Sequence, residues 1–301
     1  MSEIKNILIA GAGSIGLGVA CSFANSGFRT QVLSRNPDRL RGKLPSGVDA
    51  ISELPDQAPD LIIESIPELA TLKQELYAAV EHAYAGASIL ASNTSSLPLD
   101  ELAKPLQYPD RFIGMHYFFP ADVTEFVEVT RTAGSSDQTL QAVVEVLKAT
   151  GKTPVILNRP VMGALINRLQ HAMLREAYYL IGEGIVSPEQ VDDVARRLLA
   201  PRMCVTGILE QKDISGLDTH ALAQRSIVPH LYNSPEPAPY LQDLYKAGKF
   251  GLKTGSGFYE WDGYDPAQVR MHTSQKVAHI IQAMEEIGVG HGRSLPEKAI
   301  V

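Results

Sequence analysis

The stretch "NILIAGAGSIG" constrains this chain more than any other. "NILIA" (Asn6–Ala10) is a short apolar run that leads into Gly11, Gly13 and Gly16 in the pattern GxGxxG, and a helical pattern over 14–26 comes next, closed by Gly27. A strand that feeds a helix through such a loop needs its glycines for separate reasons. Gly11 permits the tight turn, Gly13 lets the backbone approach a pyrophosphate, and Gly16 lets helix and strand pack closely. Ser14 and Ile15, at the helix start, add free backbone N–H groups and the positive end of the helix dipole. The loop therefore predicts a dinucleotide site at Gly11, Gly13, Ser14, Ile15 and Gly16.

The same alternation recurs through the next seventy residues. "TQVLS" (30–34), "DLIIES" (60–65) and "SILASN" (88–93) read as buried parallel strands, with a helical pattern over 69–84 between the last two. Strand–helix–strand repetition implies right-handed crossovers and a doubly wound parallel sheet. "RFIGMHYF" and "TEFVEVT" are separated by too few residues for a crossover, so they predict an antiparallel pair. After "TPVILNRP" the chain turns helical, with candidate helices at 161–183, 188–199, 218–226, 240–247 and 266–287. The expected architecture is α/β: an N-terminal Rossmann-type doubly wound sheet over 1–158, then an all-α domain over 159–301.

Composition narrows the class. Among 301 residues, 45% are hydrophobic and 20% charged, and the net charge of −7 argues against a nucleic-acid partner. The chain has no apolar run long enough to span a bilayer. "MSEIKNILIAG" enters a strand at once, without a basic and apolar leader. Two cysteines and eight scattered histidines offer neither a disulfide framework nor metal-ligand spacing. These features predict a cytoplasmic protein with no membrane or nucleic-acid partner and no metal.

The cofactor is read at "SRNPDRL". An NAD-selective site usually places a carboxylate at the end of the second strand to bind the ribose 2′-hydroxyl. Here Ser34 and Arg35 occupy that place, eighteen and nineteen positions beyond Gly16. A serine can hydrogen-bond a 2′-phosphate, and a guanidinium can pair with it and stack on adenine. Arg39, one turn on, is placed to assist. The reading is NADP(H) preferred with NAD(H) possible, against the alternative of a solvated loop arginine.

"SNTSSLPLDELA", "RFIGMHYFFPADVTEFVEV", "INRLQ" and "FGLKTGSGFYEW" together resemble the 3-hydroxyacyl-CoA dehydrogenase superfamily, including short-substrate relatives such as lambda-crystallin/gulonate dehydrogenase. The resemblance covers most of the chain. It implies a His–Glu pair, here His116 and Glu128, in which the imidazole carries the proton and the carboxylate orients it. It implies that Ser95 bonds the substrate oxygen, although Ser95 could equally cap the next helix, as could Ser96. Asn167 matches the family's substrate-binding asparagine, with an interhelical hydrogen bond as its alternative, and Gln170 and His171 lie one turn further on. Glu68 and Lys73 match positions near the nicotinamide ribose, or form a surface charge pair, and Asn93 is placed to bond the ribose or carboxamide. A dimer through the helical domain is also implied.

Two departures bear on the substrate. "HYFFP" puts Phe119 where the family commonly has asparagine, which predicts a more apolar pocket wall. The segment "NPDRLRGKLPSGVDAISELPDQAP" (36–59) is too short for the family's CoA-binding helical arm, and its basic residues are Arg39, Arg41 and Lys43. The expected activity is NAD(P)-dependent interconversion of a secondary alcohol and a ketone, on a small β-hydroxy or β-keto acid, ester or thioester. The alternatives are an imine-type reductase on the same scaffold and a non-catalytic dinucleotide-binding structural or sensor protein.

Overall fold

A computed structural model describes residues 4–288. Residues 1–3, which begin the stretch read as lacking a leader, and 289–301, the end of the stretch expected from sequence to form the all-α domain, lie outside the described residues. The chain divides into two compact units, Met1–Leu169 and Gln170–Val301.

The first unit is built on eight strands: β1 (Asn6–Ala10), β2 (Arg29–Leu33), β3 (Asp49–Ile51), β4 (Leu61–Glu64), β5 (Ile89–Ser92), β6 (Phe112–Tyr117), β7 (Phe126–Thr130) and β8 (Thr153–Leu157). Their order across the sheet is β3-β2-β1-β4-β5-β6-β7-β8. All neighbours are parallel except β6 and β7, which pair antiparallel as their short connection requires. Four helices accompany the strands: α1 (Ser14–Asn25), α2 (Ala70–Tyr84), α3 (Leu99–Ala103) and α4 (Asp137–Ala149).

The continuous apolar strand sequences follow from burial on both faces. Leu8, Ile62, Leu90 and Phe112 point to one side, against Tyr77, Val80 and Tyr84 of α2. Ile7, Ile9, Ile63 and Ala91 point to the other, against Val19 and Phe23 of α1 and Val143 and Leu147 of α4. Each such valine, leucine, isoleucine or phenylalanine, withdrawn fully from water, contributes about 1.5–3 kcal/mol before the cost of ordering the chain. The strand order reverses between β1 and β4, and open α/β sheets bind ligands beyond the strand ends at such a reversal.

Several elements differ from the sequence expectation. The stretch between β2 and β4 holds a 3₁₀ turn (Pro37–Leu40) and the three-residue β3, neither of which the sequence reading gave, and it is too short for a long helix pair, as that reading has it. Helix α4, capped by Ser136 through Thr139, is additional to the expected helices. The helix expected from 161 begins instead at Ile166, because Gly163 and Ala164 take positive φ values of 79° and 48° and end any earlier turn.

Among its described residues the second unit carries helices and two isolated bridges around Ser256. It contains most of α5 (Ile166–Gly182), then α6 (Pro188–Val194), α7 (Ala200–Thr206), α8 (Glu210–Ser215), α9 (Leu217–Ile227), α10 (Pro239–Lys246) and α11 (Pro266–Glu286). A π-turn over Ala195–Leu199 joins α6 to α7 just before Pro201, whose missing N–H and ring disturb the regular ladder. Tyr178 stacks on Phe258 and Tyr179 on Tyr232, with ring centroids 5.5 and 5.0 Å apart. Among the described residues of this unit only Ala238 is buried, while Leu209, Ile214 and Ile287 are 70–80% exposed. No helix among the described residues is long and apolar enough to cross a membrane.

Candidate active site

The glycine loop follows β1 at the strand reversal. Gly11 has φ +122°, and a Cβ there would meet the Ser65 carbonyl oxygen at 2.3 Å. At Gly16 a Cβ would meet the Gly11 carbonyl oxygen at 2.2 Å, so both positions demand glycine for packing. Gly13 differs: a Cβ there would have nothing within 4 Å. That open face, at the N-cap of a helix with no side-chain cap and no acidic residue in its first turn, fits a pyrophosphate on the Ser14 and Ile15 N–H groups. Ser34 lies just past β2, where its Oγ accepts the Asn36 N–H at 3.2 Å. Arg35 and Arg39 are exposed beside it, and Arg41 pairs with Asp38 at 2.8 Å.

The antiparallel β6–β7 register places His116 directly opposite Glu128. Their side chains therefore share one face of the sheet, and His116 Nδ1 meets Glu128 Oε2 at 2.9 Å. The other carboxylate oxygen, Oε1, accepts the N–H groups of Leu165 and Ile166, both at 2.8 Å. Glu128 thus orients the imidazole and also caps the helix whose next residue is Asn167. Burial acts to raise the Glu128 carboxyl, but the His116 ring and the Ile166 and Leu165 N–H groups outweigh it and hold the group below the usual carboxylate range. A carboxylate that accepts from Nδ1–H leaves the Nε2 lone pair of His116 available as a proton acceptor.

Ser95 sits in the turn after β5. Its N–H and that of Ser96 donate to Glu68 Oε1 at 2.9 and 3.0 Å, and the Thr94 hydroxyl donates to the same oxygen at 2.6 Å. Burial acts to raise the Glu68 carboxyl, but the Thr94 hydroxyl, the Ser96 N–H and Lys73 bring it down to about 2. Lys73 is not part of a surface pair. It is wholly buried, with its ammonium on Glu64 and, at 3.2 Å, on Glu68 Oε2, so any contact it makes with a cofactor runs through Glu68. Glu64 also accepts from the Tyr77 and Ser92 hydroxyls at 2.7 and 2.8 Å. Asn93 ties three strand ends together: its Oδ1 accepts the Tyr117 N–H at 2.8 Å and its Nδ2 donates to Ser65 at 3.1 Å.

A cavity of about 270 Å³ brings Ser95 and His116 together, with Leu97, Met115, Val161 and Met162 among its apolar walls. Among the described residues, no lysine or arginine lines it. Asn167 is half-buried and falls outside this lining, and His171 is exposed. Phe119 also falls outside it, 59% exposed, because β6 ends at Tyr117 and the chain turns away. The aromatic contact to the histidine comes from Phe118, whose ring centroid lies 4.5 Å from that of His116. Sequence reasoning missed Phe118 and Glu64. For Glu64 the signal was a carboxylate ending the apolar run "LIIE".

Residues 45–160 match the family model for the NAD-binding domain of 3-hydroxyacyl-CoA dehydrogenase, and residues 163–261 match the model for its C-terminal domain. A probable 3-hydroxybutyryl-CoA dehydrogenase of Bacillus subtilis is 34% identical over 286 residues, covering 86% of this chain and 98% of the relative. The 5-formyl-3-hydroxy-2-methylpyridine 4-carboxylate 5-dehydrogenase of Mesorhizobium japonicum is 28% identical, covering 92% and 96%. Among solved structures, a dehydrogenase of that pyridine type, described as an NAD+ dependent dismutase, gives a TM-score of 0.88 at 26% identity, covering 94% of this chain and 99% of its own. The 3-hydroxyacyl-CoA dehydrogenase of Archaeoglobus fulgidus gives 0.69 at 28% identity, covering 92% and 98%. With the motif residues gathered at the strand ends and both domains matched, the chain belongs to the 3-hydroxyacyl-CoA dehydrogenase family of NAD-dependent oxidoreductases.

Proposed function

We propose that this enzyme interconverts a secondary alcohol and a ketone on a compact β-hydroxy or β-keto compound, with His116 transferring the proton. The observation that carries the reading is the His116–Glu128 pair, 2.9 Å apart, opening on the same cavity as Ser95. In the oxidative direction Ser95 and Asn167 hold the substrate oxygen while His116 Nε2 takes the hydroxyl proton. Glu128 stabilises the imidazolium that results. In reduction the same nitrogen returns the proton to the carbonyl oxygen. A bound dinucleotide, held through Gly11, Gly13, Ser14, Ile15, Gly16 and Asn93, would supply the hydride acceptor or donor.

We take NADP(H) as the preferred cofactor, because Ser34 and the exposed Arg35 stand where a carboxylate would repel a 2′-phosphate. Residues 1–158 form the cofactor domain and 159–301 the substrate and dimerisation domain. The exposed leucine and isoleucine side chains of the helical unit support a homodimer, since apolar surface on that scale calls for a partner. Two unpaired cysteines, Cys21 and Cys204, suit a cytoplasmic setting.

The 270 Å³ cavity and the short β2–β4 segment favour a compact substrate over a CoA thioester. A second reading, redox chemistry at a carbonyl borne on an aromatic ring, is favoured by the TM-score of 0.88 with the pyridine-type dehydrogenase. NADPH and NADH oxidation against one β-keto acyl group, offered as free acid, simple ester and CoA thioester, tests the proposal, with a pyridine carbaldehyde in the same panel. Remote binding energy raises turnover only where the protein contacts the remote group. A thioester that wins by more than about tenfold, roughly 1.4 kcal/mol of transition-state binding, would overturn the compact-substrate reading.

A further inference from the structure

We infer that Glu68 is a positioning residue for Ser95, held in place by the buried Lys73–Glu64 pair. The inference rests on the reading of Ser95 as the group that bonds the substrate oxygen. Glu64 ends β4 and is completely buried, so its carboxylate has to be met from within the protein. Lys73, in the first turn of α2, meets Oε1, while the Tyr77 and Ser92 hydroxyls meet Oε2. The Lys73 ammonium is therefore anchored to the sheet. Beyond Glu64 it reaches the Ile66 carbonyl at 3.5 Å and Glu68 Oε2 at 3.2 Å, and the second contact fixes the rotation of that carboxylate and turns Oε1 toward the loop after β5.

Oε1 then gathers the donors of three successive residues: the Thr94 hydroxyl at 2.6 Å, the Ser95 N–H at 2.9 Å, and the Ser96 N–H and hydroxyl, both at 3.0 Å. The Ser95 hydroxyl is 3.5 Å away, too far for a strong bond, so it keeps its capacity for another partner. Backbone donors around a carboxylate form an arrangement that holds a turn by charge rather than by packing. Ser95 itself is exposed, so little else restrains it. The alternative of a surface charge pair fails because one member is buried, and direct cofactor contact leaves the Thr94–Ser96 bonds unexplained.

A glutamine cannot take over this role. If its oxygen faces the turn, its NH₂ faces the Lys73 ammonium. If its oxygen faces Lys73, its NH₂ faces two backbone N–H donors. The test is a double-mutant cycle of Glu68→Gln and Ser95→Ala, reading kcat/KM, cofactor Kd and Tm. Each single variant is expected to lower kcat/KM by about tenfold to a hundredfold, the scale of a hydrogen bond to a charged group. In the Ser95→Ala background, Glu68→Gln should then cost less than about twofold, with cofactor Kd within about threefold throughout. Equal losses in both backgrounds, or a Kd rise that accounts for the Glu68→Gln loss, would overturn the inference. A Ser95→Ala enzyme with unchanged kcat/KM would instead refute the role of Ser95, and the inference with it. Should Glu68→Gln fail to fold, Glu68→Asp keeps the charge by Lys73 but withdraws the oxygen from the turn, and the same non-additivity is expected.

Discussion

Replacing Glu128 by glutamine removes one oxygen from a position where two serve three donors. Oε2 accepts from His116 Nδ1 at 2.9 Å, and Oε1 accepts from the Leu165 and Ile166 N–H groups at 2.8 Å each. A glutamine with its oxygen on the helix amides puts its NH₂ on His116, which forces the proton to Nε2 and removes the base. The opposite orientation keeps the tautomer but sets NH₂ against two N–H donors beside Asn167. Charge-assisted bonds are about twice as strong as neutral ones, so losing roughly 1 kcal/mol at each of three bonds gives about 3 kcal/mol. For a chain of 301 residues that lowers Tm by roughly 5 °C. The oxidative rate should fall by about 10²- to 10⁴-fold, the usual contribution of a positioned proton-transfer group. The pH dependence has a definite sign. The Glu128 carboxyl is depressed in the folded state, so its stabilisation is complete above its unfolded value and is lost as pH falls through the folded value. The gap in Tm between wild type and variant should therefore close on acidification. Thermal unfolding and kcat measured across pH check this, and a variant within about 2 °C and about threefold of wild type at neutral pH would refute the reasoning.

The glycine loop separates two kinds of glycine. Gly16→Ala should lower Tm strongly, because its Cβ would meet backbone at 2.2 Å, whereas Gly13→Ala, with nothing within 4 Å, should leave Tm unchanged and raise cofactor Kd. Calorimetry with cofactor on both variants distinguishes them. Arg35→Ala should weaken NADPH by about tenfold while leaving NADH nearly unchanged, the loss expected for one charge-assisted phosphate contact. An unchanged NADPH/NADH affinity ratio would contradict that assignment.

The architecture is legible wherever one physical signal dominates. Buried parallel strands such as "NILIA" and "DLIIES" are apolar on both faces, and GxGxxG at a strand–helix junction carries its own geometry. The His116–Glu128 pair is legible through the family resemblance, and the antiparallel β6–β7 register is the physical reason positions twelve apart meet face to face. β3 is not, since three residues paired only to β2 leave no periodicity to read. Helix α4 does carry a readable signal, the Ser136 cap ahead of Val143, Val146 and Leu147, but it lies between stretches whose strand patterns are stronger. The buried state of Lys73 is out of reach, because a lysine four residues into a helix looks the same in sequence whether water or two carboxylates receive it. Phe118 and Phe119 exchange roles for a similar reason: where a strand ends decides which of two adjacent rings faces the histidine.

The central claim is that His116 carries the proton. Its most direct test is steady-state turnover of His116→Ala, alongside calorimetric cofactor binding. The account predicts a loss of about 10²- to 10⁴-fold in kcat, with cofactor Kd close to wild type. A variant that binds cofactor normally and turns over at a near-normal rate would contradict it and move the proton transfer elsewhere, with the exposed His171 the first residue to examine.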